Sequence, residues 1–116
     1  MYWLIAIIRA SSLEQVRENL ANIGCEGMTV SEVRGYGRQG GHSEYYRGAE
    51  YNVQLVPKVR IEIACTKGAL NHALNAIREG GVTGPSGALG DGKVFVLGME
   101  EAVRIRTGEV GKDVLE

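Results

Sequence analysis

The chain has 116 residues and a mass of 12.5 kDa, the usual size of one domain and too short for two. It is 44% hydrophobic and 23% charged, which excludes a disordered or collagen-like chain. Thirteen basic and fourteen acidic residues leave a net charge of −1, so no overall field attracts nucleic acid. Any anion site therefore has to be built locally.

The predicted elements alternate between strands and helices. Short apolar runs predict strands at residues 2–8, 28–34 and 94–97, and alternation of apolar and polar residues predicts a strand at residues 58–65. Helical spacing of apolar residues predicts one helix that begins at a capping-box pattern of Ser11 and Glu14 and ends at Gly24. A second helix, over residues 70–77, ends at Gly80 and Gly81. This order is the βαββαβ arrangement of ferredoxin-like α+β domains, an antiparallel sheet with both helices on one face.

Two features of this pattern bear on assembly and location. The first and fourth strands are apolar at nearly every position, so both of their faces need burial and we expect an oligomer. The apolar start is soon followed by charged residues, with no run of about 20 apolar residues and no cleavage site, so we expect a cytoplasmic protein. Cys25 and Cys65 lack a CxxC pattern, which favours free thiols over a disulfide or metal pair.

Glycine is unusually abundant, with 17 residues, and it clusters in two connections. The first, about residues 36–56, is long, polar and carries Tyr45, Tyr46 and Tyr51, which is typical of a functional loop. GYGRQG at residues 35–40 has dinucleotide-site spacing, but no helix follows it. GALGDGK at residues 87–93 has part of the P-loop pattern but lacks the metal-binding hydroxyl and precedes a strand. It remains a glycine-rich turn with a lysine, which suits either phosphate or a plain linker.

Charged side chains outside this turn offer further anion contacts. Arg104 and Arg106 stand two residues apart, so in an extended segment both point the same way and suit a polyphosphate, although a solvated basic edge is equally compatible. Gln39 and Lys58 flank the long loop and offer a neutral oxygen ligand and a carboxylate partner, although each alone is more often an ordinary surface residue. No nucleophile–base set, carboxylate pair or metal cluster emerges, so we expect no enzyme.

Four segments resemble the PII signal-transduction family, in the same order and over nearly the whole chain. They are GMTVSEVRGYGRQGGHSEYYRGAEY (residues 27–51), LVPKVRIEI (55–63), GDGKVFV (90–96) and AVRIRTGE (102–109). They resemble, in turn, strand two with the T-loop, strand three, the exit of the B-loop, and the C-loop. The resemblance implies a single domain over residues 1–116, with a T-loop at about 36–56, a B-loop at about 81–93 and a C-loop at about 99–112.

The resemblance also implies a homotrimer that holds ATP or ADP in the clefts between subunits. The base and ribose would be surrounded by Thr29, Gly37, Arg38 and Ala64. The phosphates would be wrapped by Gly90, Asp91, Gly92 and Lys93, with Arg104 and Arg106 added from the neighbouring subunit. With ATP and Mg²⁺ bound, 2-oxoglutarate would join, Gln39 binding the metal and Lys58 the distal carboxylate. Tyr51 matches a tyrosine that is nucleotidylated in some members.

In this interpretation the nucleotide selects among states of the T-loop, which reports to an ammonium-type membrane transporter or a nitrogen-metabolism enzyme. Two departures favour an alternative, a divergent regulator of another transporter that senses a different anion such as bicarbonate. The B-loop is about three residues longer than the family pattern, and Gly40 replaces a common lysine. An RNA-binding module shares the element order, but its stacking aromatics are missing from strand three. A nucleotide hydrolase would need a catalytic base, and none is evident.

Overall fold

The computed structural model describes residues 1–36, 44–46, 49–51 and 55–115. Its strands are β1 (Tyr2–Ile8), β2 (Met28–Gly35), β3 (Glu44–Tyr46), β4 (Ala49–Tyr51), β5 (Val56–Cys65) and β6 (Gly92–Gly98). The helices are α1 (Leu13–Asn22) and α2 (Lys67–Gly81), with short 3₁₀ turns at Ala10–Ser12 and Lys112–Leu115. The main sheet has the order β2-β5-β1-β6 with every neighbouring pair antiparallel, which confirms the ferredoxin-like prediction.

The core lies between one face of this sheet and the two helices. Strict alternation along β1 and β5 places every second side chain on that face. The buried cluster consists of Leu4, Ala6, Ile8, Val16, Leu20, Val59, Ile61, Ile63, Cys65, Ala73, Ala76 and Ile77. Each fully buried Leu or Ile stabilises the fold by about 1.5–3 kcal/mol relative to an exposed position. These side chains come from both helices and both central strands, so the core fixes the βαββαβ arrangement.

The opposite face of the sheet has an apolar half and a polar half. Register pairs Trp3 with Leu97 and Ile5 with Phe95, and Ile7 follows on the same face of β1. Phe95 and Leu97 are 49% and 47% exposed.

The polar half of the same face lies across the sheet, on β5, where Arg60 and Glu62 form an ion pair at 3.0 Å. We name this surface the open face, and its apolar half is the one for which the sequence predicts an oligomer contact.

Three details differ from the sequence prediction. The capping box is wrong: α1 follows a 3₁₀ turn, its N-cap Ser12 makes no side-chain capping bond, and Glu14 instead pairs with Arg17 at 2.9 Å. β5 and β6 extend beyond the predicted strands, because backbone pairing continues through Pro57 and Gly92 at their ends. The long loop contains a two-stranded sheet of β3 and β4, in which Glu44 pairs with Tyr51.

Gly80 of α2 lies close to the backbone of α1, and this contact makes a stability prediction. A Cβ built on Gly80 would lie 2.9 Å from the Cα and N of Val16 in α1. We expect Gly80→Ala to lower the free energy of unfolding by about 1–2 kcal/mol, since the overpacking exceeds the gain in helix propensity. Thermal melts at fixed protein concentration measure the change.

Gly68 is the matched control, because it lies in the same helix and a Cβ added to it would meet nothing within 4 Å. Gly68→Ala should leave the melting temperature unchanged or raise it. Equal effects of the two substitutions would show that helix propensity, rather than close packing of α1 on α2, governs both positions.

Within the described residues, no helix has both the length and the apolar character that crossing a bilayer requires.

Candidate functional site

The B-loop, between α2 and β6, is folded around the carboxylate of Asp91. Oδ1 accepts hydrogen bonds from Thr83 Oγ1 at 2.7 Å and Arg9 Nε at 3.1 Å. Oδ2 accepts from the backbone N–H of Ala88 at 2.9 Å and of Thr83 at 3.0 Å. The pKa of Asp91 is held far below its ordinary value, chiefly by the Ala88 amide and then by Thr83. Asp91 is therefore ionised throughout the physiological range and ties together the start, middle and end of the loop.

Two cations hold the carbonyls at the tip of this loop. Arg9 Nη2 donates to Leu89 O and Lys58 Nζ donates to Gly90 O, both at 2.6 Å. Lys58 is only 7% exposed, and its burial, with repulsion from Arg9, lowers the pKa of its ammonium group. A buried ammonium in contact with a carbonyl is poised to take an anion, because a carboxylate or phosphate oxygen is a stronger partner.

A cavity of about 540 Å³ opens between the B-loop and the open face of the sheet. Its lining residues are Ile7, Gly35, Tyr36, Lys58, Ala88, Leu89, Gly90, Asp91, Gly92, Lys93 and Phe95. Its volume lies in the range of small-molecule sites. Lys58 and Lys93 supply positive charge, the glycines expose backbone, and Ile7 and Phe95 form an apolar wall. We name this space the loop cavity.

Gly92 joins the B-loop to β6 in a backbone shape that excludes side chains. Its φ is +108°, and a Cβ there would lie 1.8 Å from the carbonyl oxygen of Ile7. The close approach allows Gly92 to pair with Ile8, and Lys93 to pair with Ile7, at the edge of the loop cavity. The glycine is therefore required for the position of the lysine that follows it.

The C-terminal segment forms a turn rather than an extended stretch, so the condition under which Arg104 and Arg106 would point the same way is not met. The backbone N–H of Arg104 donates to Glu109 O at 2.8 Å, and Val103 bridges Val110. Arg104 Nη1 also pairs with Glu109 Oε1 at 2.8 Å. Thr107, and then Arg104, lower the pKa of Glu109. Because the chain reverses between Arg104 and Glu109, with Arg106 inside the turn, the alternation of an extended strand does not apply to the two arginines.

The predicted site residues fall into four groups. The loop cavity brings together Lys58, Gly90, Asp91, Gly92 and Lys93. Thr29 in β2 and Ala64 in β5 lie on the open face, where they pair with Glu62 and Trp3. Both are farther along the sheet than Ile7, which lines the loop cavity. Arg104 and Arg106 belong to the C-terminal turn and do not line the loop cavity.

The fourth group, Gly37, Arg38 and Gln39, lies outside the described residues, as does the side chain of Tyr51, whose backbone belongs to β4. Among the described residues, no three His, Cys, Asp or Glu side chains cluster as metal ligands would.

Sequence reasoning missed two residues of the site, Arg9 and Thr83. Each contacts Asp91 from a distance along the chain, 82 residues for Arg9 and 8 for Thr83. The only signal for Arg9 is a charge directly after the buried strand β1. Thr83 directly follows Val82, the C-cap residue of α2. Hydroxyl side chains at such positions commonly form local hydrogen bonds in loops, and this is the signal for Thr83.

Comparisons with known proteins agree with one another. A family model described as nitrogen regulatory protein P-II matches residues 1–109. Nitrogen regulatory protein P-II of Pasteurella multocida and that of Bradyrhizobium diazoefficiens are each 50% identical over 110 residues, which is 95% of this chain and 96% of the relative. The crystal structure of Arabidopsis thaliana PII bound to citrate is similar, with a TM-score of 0.77 and 37% identity over 97% of this chain and 86% of that one.

A ferredoxin-like sheet with a glycine-rich loop beside a basic cavity, matched along its length by regulators, places this chain among regulatory proteins. The chain belongs to the nitrogen regulatory protein P-II family, whose members act in signal transduction.

Proposed function

We propose that this chain senses adenine nucleotides, with the phosphates of ATP or ADP bound in the loop cavity. The observation that carries the proposal is the convergence of Lys58, Lys93 and the glycine-rich tip of the B-loop on one 540 Å³ space. Ammonium groups and exposed backbone amides are the usual partners of polyphosphates. The adenosine would extend along the open face toward Thr29 and Ala64, beside the loop residues Gly37 and Arg38.

The site is completed by a neighbouring copy in this proposal. In a homotrimer, the apolar half of the open face would be covered, and the C-terminal turn of one subunit would approach the loop cavity of the next. Arg104 and Arg106 would then add charge to the phosphates, with Arg104 exchanging its contact to Glu109 for a phosphate oxygen. A phosphate is a favourable bidentate partner for a guanidinium.

The second ligand in this proposal is 2-oxoglutarate, bound with Mg²⁺ and ATP. Gln39 would bind the metal, and Lys58 would leave Gly90 O to pair with the distal carboxylate. Gly35 and Tyr36 line the loop cavity at the point where the T-loop begins, so occupancy of the cavity can bias the states of that loop. The T-loop would then signal to an ammonium-type membrane transporter or a nitrogen-metabolism enzyme, with Tyr51 as a candidate for modification.

The alternative is a different anion such as bicarbonate, with another transporter or carbon metabolism as the regulated target. The longer B-loop favours it because the Gly90 carbonyl of that loop contacts Lys58, and Gly40 favours it because it stands where a lysine is common in the family. The citrate in the Arabidopsis structure also supports a carboxylate ligand in a relative. Isothermal titration with ATP, ADP and AMP, alone and with 2-oxoglutarate or bicarbonate, separates the two. If only one of the two anions raises the affinity for ATP, that anion is the sensed ligand. The absence of any nucleotide binding at micromolar concentration would refute the proposal.

Lys93 provides the direct test of the phosphate site. We expect Lys93→Ala to weaken ATP binding about tenfold or more, the loss of one charge-assisted contact, with little change in melting temperature. Lys67→Ala, at another exposed lysine at the start of α2, is the control and should bind ATP like the wild type. A large drop in melting temperature with unchanged ATP affinity would show that Lys93 serves the fold instead.

A further inference from the structure

We infer that Arg9 and Asp91 are positioning residues of the phosphate site, which act by orienting the N–H groups of the B-loop rather than by touching the ligand. The inference rests on the proposed function and deepens it. Asp91 belongs to the GDGK run that suggests direct contact with phosphate, but its carboxylate is turned into the loop, where it accepts four hydrogen bonds from Arg9, Thr83 and Ala88.

The first step concerns charge. A carboxylate beside a phosphate site repels the ligand unless its charge is compensated. Asp91 is 18% exposed at its side chain, pairs with Arg9 at 3.1 Å and has every strong acceptor direction occupied. The pair therefore contributes almost no net charge to the loop cavity, so the positive charge there comes from Lys58 and Lys93.

The second step concerns direction. Arg9 Nη2 holds the carbonyl oxygen of Leu89 at 2.6 Å. In a trans peptide the C=O and the following N–H point in opposite directions, so this contact turns the N–H of Gly90 away from Arg9. Leu89 and Gly90 line the loop cavity, whereas Arg9 does not. Among the hydrogen bonds within the described part of the chain, none uses the Gly90 N–H as donor. We therefore assign it to the ligand.

The third step concerns the length of the loop. The resemblance to the family implies that the loop is about three residues longer than usual, and a longer loop has more states to lose when it closes. Asp91 bonds to Thr83 at the start of the loop and to Ala88 near its tip, which restores a single closed shape. Thus the same carboxylate that cannot serve as a ligand offsets the extra length and keeps the Gly90 N–H in place.

The test compares ATP with AMP, because a positioning effect on the β- and γ-phosphates changes their relative affinities. Asp91→Asn keeps the size of the side chain but replaces one acceptor oxygen with an NH₂ group. That group would face the donors that now bond to Asp91, on Arg9, Thr83 and Ala88. We expect ATP affinity to fall roughly tenfold, with AMP affinity changed far less. The matched control is Asp113→Asn, at an exposed aspartate of the C-terminal 3₁₀ turn, which should bind both nucleotides normally.

Thr83 gives a milder pair of variants in case Asp91→Asn does not fold. Thr83→Ser keeps the hydroxyl that lies 2.7 Å from Asp91 and should retain the wild-type ATP:AMP affinity ratio, whereas Thr83→Ala should reduce it. Normal ATP binding by folded Asp91→Asn, or by Thr83→Ala, would overturn the inference. So would an equal loss of ATP and AMP affinity, since that marks a purely structural role. A wild type that binds neither nucleotide refutes the proposed function itself, and the inference with it.

Discussion

Alanine in place of Gly92 is expected to cost about 4 kcal/mol of folding free energy, because it combines backbone strain at positive φ with overpacking. The added Cβ would lie 1.8 Å from Ile7 O and 2.8 Å from Ile7 C, both of them backbone atoms that cannot rotate away. Such a loss is a large share of the roughly 5–15 kcal/mol that typically holds a domain together. We expect the fraction of Gly92→Ala molecules that still folds to lack the pairing of residue 92 with Ile8. This fraction should therefore fail to bind ATP.

Gly98 provides the control at the other end of the same strand. A Cβ there meets nothing within 4 Å, so Gly98→Ala should melt within a few degrees of the wild type. Chemical denaturation of both variants at one protein concentration measures the difference. A Gly92→Ala protein with wild-type stability and ATP affinity would contradict the close approach of the B-loop exit to β1.

The fold was predictable because its elements have strong local patterns. Alternation along β5 places Val59, Ile61 and Ile63 on one face, and helical spacing in α1 buries Val16 and Leu20. The order of such elements then restricts the topology to few choices. The missed β3–β4 hairpin has a different origin, since its strands are three residues long and pair only with each other, which leaves a weak pattern.

The site was predictable only in part, because its geometry depends on contacts between distant residues. The glycines and Lys93 of the B-loop form a continuous motif, and Lys58 stands beside the long loop, so the sequence points to both. No local sequence pattern predicts that Arg9 forms a hydrogen bond with Asp91, 82 residues away in the chain. Nor does one predict that Lys58 donates to Gly90 O. The C-terminal arginines show the limit of spacing arguments, since their shared direction depended on an extended segment, whereas the segment forms a turn in which Arg104 pairs with Glu109.

Leu97→Glu is expected to abolish trimer formation. In the single chain Leu97 is 47% exposed and pairs with Trp3 on the open face, so a glutamate there remains solvated and the subunit still folds. In the proposed trimer the same position is covered, and each subunit would bury an unpaired carboxylate, which costs several kcal/mol. The mass measured by light scattering during size-exclusion chromatography should therefore change from about three times 12.5 kDa to 12.5 kDa.

Ile23→Glu is the matched control, because Ile23 is 43% exposed but follows α1 on the helical side of the sheet. It should leave the mass at the trimer value. Leu97 does not line the loop cavity, so any loss of ATP affinity in Leu97→Glu reports the missing neighbour, with its Arg104 and Arg106, rather than a damaged pocket. A monomeric Leu97→Glu that binds ATP as tightly as the wild type would show that one subunit supplies the whole site. A trimeric Leu97→Glu would instead place the subunit contact elsewhere on the molecule.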